Sequence, residues 1–120
     1  MAIAVALAGP VAAVAQTTPG APTYPSRLLV TADEWNLALS RTKLDPGPSI
    51  VELYNRGEDA HDVKIKRRSS KKVVAIPETG SEASTKVQTA FRPDSRYVLW
   101  CSLPDHRDAG MEAELRTAKD

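Results

Sequence analysis

The sequence predicts an all-β domain, a sandwich or barrel of about seven or eight short strands. Three observations lead there. Apolar and polar residues alternate with a period of two in run after run, Gly- and Pro-containing turns separate the runs, and no segment sustains the 3.6-residue period of an amphipathic helix. Aromatic residues are sparse, at 5% of the 120 residues. Without its first fifteen residues the chain keeps about 105, enough for one domain with one modest core.

Taken in order, residues 1–15, MAIAVALAGPVAAVA, form an apolar stretch ending in Ala13-Val14-Ala15, the small-x-small pattern that export peptidases cut. They read as a signal peptide whose positive charge comes either from the N-terminal amine or from residues further upstream. The stretch is shorter than the roughly 18 apolar residues of a membrane span, and Gly9-Pro10 interrupts it. Residues 16–26, QTTPGAPTYPS, are a Pro-rich linker with nothing to pack. Residues 27–120 are the domain.

Arg27 to Thr31 is the first strand. Trp35 to Ser40 is the second, with Trp35, Leu37 and Leu39 set against Asn36, Ala38 and Ser40. After a turn at Pro46-Gly47, Ser49 to Asn55 places Val51 and Leu53 on one face and Ile50 and Glu52 on the other. The turn at residues 55–60 leads into HDVKIKRR, where Val63 and Ile65 point to a core and Lys64 and Lys66 to water. KKVVAIPE is a shorter strand ended by Pro77. STKVQTAF alternates weakly, RPDS turns, and RYVLWC and MEAELRT form a final antiparallel pair. The nine residues between Cys101 and Met111 make a loop pinned at both ends by strands. Trp35 and Trp100 are expected in the core.

Charge excludes some partners. Sixteen Lys and Arg against fifteen Asp and Glu leave a net charge of +1, too little to draw the chain to nucleic acid or to an anionic membrane. Six basic residues between Lys64 and Lys72 form a local exception. They suit either a docking patch for an acidic redox partner or a strand edge guarded by lysines against aggregation.

One cysteine cannot form an internal disulfide, and a free thiol in an oxidising compartment must be buried, paired with another chain or occupied. The chain has two histidines, His61 and His106, and one methionine beyond the first residue, Met111. With Cys101 these make a thiolate, two imidazoles and a thioether, the set that suits trigonal copper with a long axial methionine. Copper alternates between Cu(I), which favours soft sulfur, and Cu(II), which favours nitrogen, and a site intermediate between the two moves little on electron transfer. Zinc would accept Cys and His but gains little from a thioether. A Cys-His nucleophile lacks an evident orienting group and leaves Met111 without a role.

The segment from Tyr97 through Cys101 to His106, followed by Ala109-Gly110-Met111, resembles the ligand loop of the cupredoxins, the type 1 or blue copper proteins. Asn55-x-Gly57-x-x-x-His61-Asp62 is similar to their first-histidine motif, and Leu44-Asp45-Pro46-Gly47 to the turn before it. The Cys101 to His106 spacing is closer to azurin-like and auracyanin-like loops than to the shorter plastocyanin loop. The resemblance implies a Greek-key β-sandwich holding one copper at its loop end and acting as a one-electron carrier, not an enzyme. It assigns Cys101 the short thiolate bond, His61 and His106 the equatorial imidazoles, and Met111 the axial contact. Asp62 departs from the asparagine common after the first histidine, which bears on hydrogen bonding around the site. The expected protein is an exported monomer that meets redox donors and acceptors transiently, with Leu103, Pro104 and Ala109 around His106 as the exit surface for electrons. A copper-delivery or sequestration module is the alternative.

Overall fold

The computed structural model describes residues 24–120, together with residues 2, 4–6 and 8–12. Most of the linker at 16–26 and the Ala13-Val14-Ala15 pattern lie outside the described residues.

Alternation becomes strand throughout. The order is β1 (Ser26–Asp33), β2 (Asn36–Leu39), β3 (Lys43–Leu44), β4 (Gly47–Asn55), β5 (His61–Arg67), β6 (Val73–Thr79), β7 (Ser84–Phe91), β8 (Arg96–Trp100) and β9 (Glu112–Thr117). One sheet has the order β2-β1-β4-β7, the other β3-β9-β8-β5-β6. The chain passes from one sheet to the other between β2 and β3, back between β3 and β4, and crosses again between β4 and β5, β6 and β7, and β7 and β8, giving the Greek-key sandwich expected from the sequence.

The inner faces of the two sheets form the core. Val30, Val51, Leu53, Val63, Leu99 and Leu115 are fully buried, each on the apolar side of its strand's alternation. Lys64 and Lys66 alternate with Val63 and Ile65 and are less buried than either, as the period of two requires.

Two elements differ from expectation. β3 spans only Lys43–Leu44, too short for any period to reveal; it forms by pairing in parallel with Arg116 and Thr117 of β9 and by burying Leu44. Pro77 does not end β6, which runs on to Thr79. β6 is the outer strand of its sheet, where a missing N–H need not break a ladder, and the register shifts between His61/Thr79 and Val63/Ile76, on the stretch that contains Pro77.

Strand direction then decides where the site lies. β1 and β4 run parallel, and β5 lies antiparallel to β8, which lies antiparallel to β9. The ends of β1, β4 and β8 and the starts of β2, β5 and β9 therefore gather at one end of the sandwich. The basic turn after Arg67 lies at the opposite end of β5 from His61, about 20 Å away along a strand. There Arg68 pairs with Glu114 at 3.1 Å and Lys71-Lys72 lead into the outer strand β6, the arrangement of a guarded edge.

Candidate metal centre

His61 opens β5, and its position is prepared by the preceding turn. The buried Asn55 amide donates to the carbonyls of Asp59 at 2.7 Å and Thr79 at 2.9 Å, while its Oδ1 accepts from the Gly57 N–H at 2.9 Å. Three hydrogen bonds from one side chain thus shape the turn before His61 and tie it to Thr79 of β6. Gly57 leaves room for another side chain. A Cβ there would overlap the Glu34 carboxylate.

Cys101 follows directly from β8, where Leu99 and Trp100 pair with Ala113 and Glu112 of β9. The loop after it is closed by its own backbone: His106 N–H donates to Leu103 O, Met111 N–H to His106 O, and Cys101 N–H to Met111 O, at 3.1, 3.2 and 3.1 Å. Gly110 has φ +124°, a region that side chains disfavour, and a Cβ there would stand 3.1 Å from Trp35 O. The loop can therefore turn back towards β9 only with glycine at that position.

Three of the expected ligands converge. His61 Nδ1 and His106 Nδ1 face each other at 3.2 Å, Cys101 Sγ is 3.5 Å from His106 Nδ1, and the three donor atoms lie within 4.8 Å of one another. His61 and Cys101 are fully buried and His106 is half-buried. Met111, also fully buried, joins them through backbone bonds to Cys101 and His106. No other group of three or more His, Cys, Asp or Glu among the described residues could hold a metal ion.

The donor set fits a metal with imidazole and thiolate bonds. Two lone pairs facing at 3.2 Å repel unless a proton or a cation lies between them. With metal bonds of about 2.0 Å to nitrogen and 2.3 Å to sulfur, separations of this size correspond to ligand–metal–ligand angles of roughly 105–110°. Burial pushes the Cys101 thiol up, as expected of a sulfur away from water, and metal binding must displace its proton.

Asp62 has a definite role. Its carboxylate accepts from Ser102 N–H at 2.7 Å and from Ser102 Oγ–H at 2.5 Å, tying the residue after His61 to the residue after Cys101. Replacing Asp62 by Ala should cost about 1.5–3 kcal/mol, the range for hydrogen bonds to a charged group. Urea unfolding of the metal-free protein measures this, and an unchanged midpoint would count against the clamp.

The structure corrects the placement of the tryptophans. Trp35 is 42% exposed, because it sits in the turn between β1 and β2 at the loop end and not on a core-facing strand. Its indole packs edge-on against His106, with ring centroids 4.6 Å apart. Trp100 is half-buried beneath the Arg107 guanidinium, 4.7 Å from the ring centroid. Glu34, beside Trp35, was not foreseen from the sequence. Its Oε1 lies 3.2 Å from His61 Nε2, across 27 residues of chain, and no local spacing marks that contact.

No family model matches the sequence, and no curated protein matches it. Solved structures do share the fold. Dithionite-reduced auracyanin from the photosynthetic bacterium Roseiflexus castenholzii is similar over 77% of this chain and 96% of its own, with a TM-score of 0.63 and 15% identity. Auracyanin A of Chloroflexus aurantiacus, a "blue" copper protein, is similar over 78% of this chain and 99% of its own, with a TM-score of 0.63 and 13% identity. An oxidised amicyanin variant gives a TM-score of 0.53 and 14% identity over 75% of this chain and 80% of its own. The fold is the cupredoxin sandwich that the sequence resemblance implied.

Proposed function

We propose that this chain is an exported mononuclear blue copper protein that carries single electrons between larger redox partners. The observation that carries the reading is the meeting of His61 Nδ1, His106 Nδ1 and Cys101 Sγ at one end of the sandwich, with His61 and Cys101 buried and His106 half-buried. A copper ion bound there would supply a one-electron couple. The protein's part is to hold these donors in place through either oxidation state, and the Asn55, Asp62 and backbone bonds restrict their movement. Met111 would give the weak axial contact.

His106 is the exit for electrons in this reading, since it alone of the three donors reaches the surface. Around it lie exposed Pro104 and Ala109, half-buried Leu103 and the Trp35 indole. Transient redox encounters bury less than about 1,200 Å², a size such a small apolar surface can supply. In this reading the monomer is the working unit, nucleic acid is not a partner, and the mature domain carries no membrane span. Export rests on residues 1–15; no helix among the described residues is long and apolar enough to cross a membrane.

Adding Cu(II) to the purified metal-free protein should give an intense blue absorption that ascorbate bleaches and air restores. A colourless copper adduct would overturn the reading. At an electrode the wave should be reversible with the metal retained; ready transfer of Cu(I) to an acceptor would instead favour a delivery role. Met111→Leu should keep the blue colour and raise the potential, because a thioether donor to Cu(II) is lost. An unchanged potential would show that Met111 is not axial.

A further inference from the structure

One side chain outside the ligand set touches it from behind. Glu34 Oε1 is 3.2 Å from His61 Nε2, on the edge of the imidazole opposite the donor nitrogen Nδ1, and accepts the Asp59 N–H at 2.7 Å. Oε1 is thus an acceptor, and the hydrogen bond between it and the imidazole needs its proton on Nε2, which leaves the His61 Nδ1 lone pair facing Cys101 and His106.

The approach of Glu34 is built into the fold. Gly57 leaves the space that the carboxylate fills. On either side, Arg56 pairs with Asp33 at 3.1 Å and the Arg56 N–H donates to Ala32 O at 2.9 Å, fastening the end of β1 to the turn before His61. Through these contacts the turn between β1 and β2, in the other sheet from His61, reaches the site.

We propose that Glu34 is a positioning residue for the copper site: it sets the tautomer and orientation of His61, and its negative charge favours Cu(II) over Cu(I), lowering the reduction potential. The proposal rests on the copper reading above. It follows from the way a carboxylate on a ligand imidazole raises the basicity of the ligand, and loss of such partners typically costs 10–100-fold in metal affinity.

The test compares the wild-type protein with Glu34→Gln, Glu34→Ala and Gly57→Ala. Glutamine keeps an acceptor oxygen and removes the charge. Alanine at residue 34 removes both, and alanine at residue 57 displaces the carboxylate without altering it. Nitrogen NMR of the metal-free proteins should show His61 as the Nε2–H tautomer in the wild type and in Glu34→Gln, and a mixture of tautomers in Glu34→Ala. After copper loading, all three variants should have higher potentials than the wild type, each tenfold loss of preference for Cu(II) over Cu(I) raising the potential by about 59 mV. Glu34→Ala should also bind Cu(II) about 10–100-fold more weakly. An unshifted tautomer in Glu34→Ala, or unchanged potentials in blue, copper-loaded variants, would overturn the role of Glu34 and leave the copper reading standing. A wild-type protein that forms no blue complex would overturn both.

Discussion

Cys101→Ser should abolish the blue colour completely. The absorption arises from charge transfer between thiolate sulfur and copper, and a serine hydroxyl offers neither a soft donor nor an accessible anion at neutral pH. The substitution is nearly isosteric at a fully buried position whose backbone N–H already bonds to Met111 O, so the sandwich should survive it. Circular dichroism should show an intact β fold while copper titration gives no intense visible band. Retention of the band would place the chromophore elsewhere and remove the basis for the proposed function.

Leu53→Ala should be the most damaging single change to the sandwich itself. Leu53 is fully buried on β4, opposite Val30 of β1 and Thr85 of β7, so its side chain lies at the centre of the four-stranded sheet. Losing it removes buried methyl groups and leaves a cavity that close-packed neighbours fill only in part, at a cost of about 2–5 kcal/mol. With about 4–8 °C per kcal/mol for a domain of this size, Tm should fall by roughly 10 °C or more. Denaturant unfolding of the metal-free protein should show a lower midpoint with an unchanged slope. A loss below about 1 kcal/mol would mean that the two sheets do not pack here as described.

The strands were legible wherever both of their faces were written into local alternation. Val51 and Leu53, Val63 and Ile65, and Tyr97 and Leu99 alternate with polar or less buried neighbours, and each lies on the buried side. β3 was not legible because two residues carry no period and its strand character comes only from pairing with β9. The run of β6 through Pro77 depended on its being an outer strand, a fact about neighbours and not about its own residues. Trp35 read as a core residue because it continues the alternation of Leu37 and Leu39, yet the strand begins only at Asn36 and the indole packs on His106 instead.

The candidate ligands stood out because the chain has so few groups able to bind a soft metal, and His61, Cys101, His106 and Met111 exhaust them beyond the first residue. Their order and spacing also resembled a known pattern. By itself, then, the sequence determined the all-β class, the apolar face of most strands and the identity of the candidate donors, since these depend on residue chemistry and on periods of two. Only the tertiary structure decided that His61 Nδ1 meets His106 Nδ1 at 3.2 Å, that Asp62 clasps Ser102, and that Glu34 stands behind His61. Each of those contacts joins residues 27 to 45 positions apart, and pairing and packing of the two sheets, not any local preference, bring them together.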